Sequence, residues 1–279
     1  MLESRVMTTV SRRLMVVSAK GGVGKSTVTV NLAAALLARG RRVGIFDADV
    51  HGPNIPALLG VRRRAKITNH PENMMTIQAR SDSAALTRPV RPFERYGLQI
   101  ASLALRVGEM QTIQPQEGTI GTLTTFMLRQ LDWNGADLLL FDMPPGTGEP
   151  LDTLIRDVRI DGALIVTTRE QLAHMDNGRI LSQLKREGVP VLGVVENMTH
   201  VICPNCGELV PLYPLPVEAM AEVYGQTPLL ASLPFDPTLI RSPGGGAPLP
   251  LRQPSHPVAV ALLELADKVI ECLDRVSPQ

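Results

Sequence analysis

The segment Lys20-Gly21-Gly22-Val23-Gly24-Lys25-Ser26-Thr27 constrains this chain more than any other, because of what flanks it. A short apolar run, Leu14 to Ser18, precedes it. An alanine- and leucine-rich stretch, Thr27 to Arg39, follows and is closed by Gly40 where a helix would end. Strand, glycine loop and helix in that order form a phosphate-binding loop. The glycines let backbone N–H groups turn inward around phosphates, and the helix N-terminus adds partial positive charge. Lys25 is placed to reach the β- and γ-phosphates, and Ser26 to offer its hydroxyl to magnesium.

The strand signature returns at Arg42 to Asp47, Asp137 to Asp142, Ala163 to Thr168, Val191 to Glu196 and Leu229 to Leu233. These runs are near-continuously apolar rather than alternating, as expected of strands covered on both faces. Helical stretches fall between or after them, at His174 to Glu187, Val217 to Tyr224 and Pro257 to Asp274. The expectation is an α/β fold: a doubly wound, mostly parallel sheet with helices on both faces, in one domain spanning residues 1–279. Residues 1–12 read as a flexible N-terminus. Residues 62–95 mix charge, proline and polar residues and read as a surface excursion, with Arg62 to Arg64 a solvated charge run. Residues 242–254 read as a proline- and glycine-rich connection.

Three carboxylates follow strands. Asp47 and Asp49 end one and Asp142 another, so all three are expected at the carboxyl edge of the sheet beside the glycine loop. A nucleotide hydrolase needs one acid to hold magnesium, usually through water, and one polar group to orient the attacking water. Asp142 is assigned the first role and Asp49 the second, with Asp47 the competitor for either. Asp142-Met143-Pro144-Pro145-Gly146-Thr147-Gly148-Glu149 reads as a loop whose glycines permit a change when the γ-phosphate is lost.

Composition excludes several classes. A net charge of +1 over 279 residues gives no bias toward polyanions, so no nucleic-acid partner is expected. The apolar run near the N-terminus is broken by Ser18 and Lys20, too soon for a signal peptide or a membrane span, and the protein is expected in the cytoplasm. The last helix carries Glu264, Asp267, Glu271 and Asp274, which disfavours an anionic membrane surface. Three cysteines are too few for a disulfide scaffold.

Where an ordinary phosphate loop opens with glycine, this one has Ala19 followed by a second lysine, Lys20. That arrangement resembles the deviant Walker A ATPases, among them septum-positioning and plasmid-partition ATPases and the nitrogenase iron protein. The resemblance implies a homodimer in which Lys20 crosses to the partner's nucleotide. Further motifs narrow it: Asp47-Ala48-Asp49-Val50-His51-Gly52-Pro53-Asn54-Ile55-Pro56, Met143-Pro144-Pro145-Gly146-Thr147-Gly148, Val194-Val195-Glu196-Asn197-Met198 and Cys203-Pro204-Asn205-Cys206-Gly207. Together they resemble the Mrp/ApbC iron-sulfur cluster carriers over nearly all of the chain outside 62–95. That resemblance implies ATP as nucleotide, Asn197 on the adenine, Pro234, Phe235 and Asp236 in the base pocket, and apoproteins as recipients. It departs at Gln114 to Gly118, where the family often has a Trp-Arg-Gly-Pro-like stretch, and at Leu212 to Val217, where a glycine-rich segment is expected.

Cys203 and Cys206 form a tight knuckle that points two sulfurs at one soft metal, which is half a site. Cys272 falls in the amphipathic last helix and reads as a core thiol. A twofold axis would supply the other two thiolates. Four thiolates accept zinc or a [4Fe-4S] cluster equally; a thiol redox pair is the third reading. The resemblance, not the spacing, favours the cluster. The rivals are a spatial-organising ATPase switch and a zinc-stapled assembly chaperone.

Overall fold

The computed structural model describes residues 10–49, 52–61, 91–102, 119–133, 135–213, 223–240 and 246–276. The strands are β1 (Arg12–Val17), β2 (Val43–Asp47), β3 (Phe93–Arg95), β4 (Leu98–Ser102), β5 (Leu138–Asp142), β6 (Gly162–Thr167), β7 (Val191–Glu196), β8 (His200–Ile202), β9 (Leu209–Pro211) and β10 (Leu229–Ser232). The helices are α1 (Lys25–Ala38), α2 (Ile55–Leu58), α3 (Thr119–Gln130), α4 (Glu149–Asp157), α5 (Gln171–Arg186), α6 (Pro237–Ile240), α7 (Leu249–Arg252) and α8 (Pro257–Arg275).

Eight strands form one sheet in the order β10-β7-β6-β1-β5-β2-β4-β3, parallel except for the antiparallel edge pair β3–β4. Successive side chains of a strand point to opposite faces. In β1, Leu14 and Val16 enter one apolar cluster with α1 and α8, while Met15 and Val17 enter another with α3, α4 and α5. Leu138 and Leu140 against Leu139 and Phe141 in β5 repeat that division. Both faces are therefore dry, which is why these strands read as unbroken apolar runs. Helix α1 is buried almost all round because the sheet lies on one side of it and α7 and α8 pack on others. β1 lies between β5 and β6, so the chain winds outward from it in both directions, and every parallel strand delivers its carboxyl end to one edge.

The described residues correct three boundaries. The N-terminal segment expected to be flexible through residue 12 already has Val10 buried and Arg12 in register with Leu138, because β1 extends further than its apolar core. The expected excursion 62–95 ends in a strand, Phe93–Arg95 pairing with Leu98–Ile100; residues 62–90 lie outside the described residues. Within the expected connection 242–254, Leu249–Arg252 forms a helical turn pinned where Asn31 Oδ1 accepts the Leu249 N–H at 3.0 Å. Most of the expected helix Val217 to Tyr224 lies outside the described residues.

Candidate functional site

The loop Lys20 to Ser26 joins β1 to α1 at the carboxyl edge of the sheet. Gly24 precedes the first helical residue with φ of 81°, a region that L side chains rarely adopt. A Cβ there would collide with Asn197 Nδ2 and come within 3.2 Å of Met198 Cε, so glycine is required by backbone and by space. Lys25 and Ser26 form the first turn of α1 and point across to the end of β5.

Asp142 is fully buried and is the hub of the site. Lys25 Nζ donates to its Oδ1 at 2.7 Å, Thr29 Oγ1 to the same oxygen at 2.9 Å, and Ser26 Oγ to Oδ2 at 2.6 Å. Asp47 is its register partner on β2 and is 1% exposed. Burial first, and then the Asp142 carboxylate beside it, push the Asp47 carboxyl up to about 8 from 3.8. Asp47 accepts the Asp49 N–H at 3.2 Å and the Ser102 hydroxyl at 3.2 Å. Asp49 Oδ1 accepts the Gly52 N–H at 2.9 Å. Val50 and His51, inside the expected motif, lie outside the described residues. The loop after β5 is tied back to β1, with Gly146 N–H on Ser18 O at 2.9 Å and Met143 N–H on Val16 O at 3.2 Å.

Asn197 directly follows β7, and its buried side-chain amide donates to Val23 O of the glycine loop at 2.9 Å. Pro234, Phe235 and Asp236 follow β10 alongside: Leu233 N–H reaches Glu196 O at 2.7 Å and Phe235 N–H reaches His200 O at 2.8 Å. Asp236 Oδ1 accepts the Thr238 N–H at 2.7 Å. The expected phosphate loop, the carboxylates Asp47, Asp49 and Asp142, Asn197, and the Pro234 to Asp236 segment thus share one edge of the sheet.

The sequence alone does not point to the carboxyl end of β6. Lys20 Nζ donates to both Glu170 carboxylate oxygens at 2.8 Å. Next to it, Arg169 Nε bonds Glu196 Oε2 at 2.9 Å; Glu196 is 1% exposed and also accepts the Ser232 hydroxyl at 3.0 Å. The side chain of Asn177, on α5, accepts the Ala19 N–H at 3.0 Å and donates to the Tyr224 hydroxyl at 3.0 Å. One signal was available: every parallel strand ends at this edge, and Arg169-Glu170 begins two residues past the end of β6.

Cys203 and Cys206 occupy the turn between β8 and β9, a separate two-stranded hairpin growing from the β7 side of the site. Glu208 O accepts the Cys203 N–H and Cys203 O the Gly207 N–H, both at 2.9 Å, which folds the turn into a knuckle. The backbone N–H groups of Cys206 and Asn205 lower the Cys203 thiol pKa, favouring the thiolate that a metal would bind. Cys206 is exposed, and Cys272 is partly buried against the core as expected. Among the described residues, no group of three or more His, Cys, Asp or Glu is arranged to hold a metal ion. Also among them, no helix is long and apolar enough to cross a membrane.

Known proteins resemble this chain over most of its length. An iron-sulfur cluster carrier protein of Pyrococcus horikoshii is 33% identical over 95% of this chain and 87% of its own. The iron-sulfur cluster transfer protein NUBPL of Dictyostelium discoideum is 31% identical over 95% of this chain and 77% of its own. A carrier of the same description from Haemophilus influenzae is 36% identical over 92% of this chain but only 65% of its own length. Among solved structures, a nucleotide-binding protein of Archaeoglobus fulgidus in complex with ADP aligns over 98% of this chain and 95% of its own, with TM-score 0.66 and 27% identity. The septum site-determining protein MinD of Pyrococcus horikoshii, complexed with Mg-ADP, aligns over 92% and 95%, with TM-score 0.64 and 25% identity. A sequence model of the NUBPL iron-transfer P-loop NTPases matches residues 9–270, and the chain belongs to that family of iron-sulfur cluster carriers.

Proposed function

We propose that this protein is a cytoplasmic ATP hydrolase that holds a [4Fe-4S] cluster between two copies of itself and delivers it to apoproteins. The observation that carries this reading is the cysteine knuckle. Two sulfurs sit together at the exposed tip of a hairpin, with no further ligating cluster among the described residues. The chain has three cysteines, so a four-thiolate cargo needs a second chain. Leu209, Val210 and Leu212, directly past the knuckle, are exposed at 58%, 50% and 41%, an apolar strip of the kind that subunit contacts cover.

At the nucleotide site, the glycine loop from Lys20 to Thr27 binds the phosphates through backbone N–H groups, and Lys25 leaves Asp142 to meet the β- and γ-phosphates. The donors around Asp142 are hard oxygens, Ser26 Oγ and the two carboxylate oxygens, which suit magnesium. Ser26 would hold the ion directly and Asp142 through water; bound magnesium would neutralise charge on the phosphates. Asp49 orients the attacking water, while Asp47, buried behind it, supports Asp142. Asn197 exchanges Val23 O for the adenine, and Pro234, Phe235 and Asp236 flank the base. Lys20 crosses to the partner's nucleotide, so hydrolysis and pairing are coupled.

Anaerobic reconstitution with iron and sulfide tests the cargo. Wild type should take up the cluster, with a broad charge-transfer absorption and matching iron and sulfide content. Cys203→Ala or Cys206→Ala should lose both and still bind ATP. Full uptake by either variant, or zinc as the only metal bound, would remove the carrier reading.

A further inference from the structure

Lys20 does not project freely from the phosphate loop. Its ammonium is bidentate on Glu170, with both N–O distances 2.8 Å, and the two side chains are 42% and 39% exposed. Glu170 is itself fixed from behind. It is the residue immediately before α5, and its neighbour Arg169 is bonded to the buried Glu196. Asn177, two turns into the same helix, holds the Ala19 N–H. The leading arm of the glycine loop is thus clasped at two points by the β6–α5 corner: once through its backbone at Ala19, once through its side chain at Lys20.

The two clasps differ in kind. The Ala19–Asn177 bond is backed by Tyr224 in the interior, whereas the Lys20–Glu170 pair faces solvent and can exchange partners without leaving a buried charge behind. We infer that Glu170 is a positioning residue that parks Lys20 on its own subunit, and that pairing of two ATP-loaded subunits requires Lys20 to be handed from Glu170 to the partner's nucleotide. This rests on the proposed cross-subunit role of Lys20. The pair opposes dimerisation until a polyphosphate offers the ammonium more negative charge than one carboxylate does. An exposed ion pair of this geometry is weak, so the latch biases the equilibrium a few-fold and is screened by salt.

The test is dimerisation of the full chain with Mg-ATP, followed by analytical ultracentrifugation across protein concentration, beside steady-state ATP turnover. Glu170→Gln keeps the shape and removes the charge. It should lower the concentration for half-dimerisation about two- to fivefold at low salt, with the difference shrinking toward nothing near ~1 M salt. In a Lys20→Ala background the same substitution should have no effect, an outcome that a structural role for Glu170 would not produce. An unchanged or raised half-dimerisation concentration, or a shift that survives Lys20→Ala, overturns the latch. If Lys20→Ala alone keeps normal turnover, the cross-subunit role of Lys20 fails and the hand-over fails with it. If Lys20→Ala is inactive and Glu170→Gln is silent, only the latch fails.

Discussion

Replacing Asp47 with asparagine should change how stability depends on pH, with a sign that follows from its surroundings. Asp47 is 1% exposed, lies beside the Asp142 carboxylate, and titrates at about 8 rather than 3.8. Between those values the folded, nucleotide-free protein holds a proton on Asp47 that the unfolded chain has released. Stability conferred by that proton is fully present below pH 3.8 and is lost as pH rises through about 8. Each pH unit in that window costs about 1.4 kcal/mol per proton. Between about pH 5 and about pH 8 the wild type should therefore lose on the order of 2–4 kcal/mol through this group. Asparagine resembles the protonated acid: it can still accept from the Asp49 N–H and carries no charge beside Asp142. Chemical denaturation of both proteins, without nucleotide, at intervals from about pH 5 to about pH 9 gives the difference directly. The variant should gain on wild type steadily up to about pH 8 and then hold level. Parallel profiles would refute the reasoning, because they would mean that Asp47 is ionised in the folded state throughout.

Other substitutions probe the supports around the site. Among the described residues, Arg169→Met leaves the buried Glu196 with the Ser232 hydroxyl as its side-chain partner and should cost about 2–3 kcal/mol in denaturation; adding Glu196→Gln should recover part of the loss. Gly193→Ala places a Cβ against Leu230 Cγ and 2.7 Å from Pro228 O, which already accepts the Val194 N–H at 2.8 Å. With backbone on one side it should cost about 1–3 kcal/mol. Lys25→Ala should abolish ATP binding in calorimetry, whereas Lys20→Ala should bind and fail to turn over; equal affinity for ATP in the Lys25 variant would contradict its phosphate role.

Strands β1, β2, β5, β6 and β7 were legible because burial on both faces forces a continuous apolar run, and the glycine loop because its spacing is itself the chemistry. β3 was not: Phe93, Glu94 and Arg95 are all exposed on an edge, so nothing selects an apolar pattern. The β8–β9 hairpin is part-exposed or exposed throughout and hides among loop residues for the same reason. Helices α2, α6 and α7 span a single turn each, too short for a 3.6-residue period to show. The site divides along similar lines. Asp47 and Asp142 end recognisable strands and Asn197 directly follows one, so their convergence follows from a parallel sheet. Glu170 pairs with a lysine 150 residues earlier, and an acid before a helix reads locally as helix-start chemistry.

In the proposed function, two copies of this chain share one cargo through Cys203 and Cys206. Native mass spectrometry of the anaerobically reconstituted protein tests it most directly, because mass reports chain number and inorganic content together. The expected species has two chains carrying four irons and four sulfides, and is absent from the Cys203→Ala protein. A cluster carried on a single chain, or a dimer that keeps its cluster without Cys203, would contradict it.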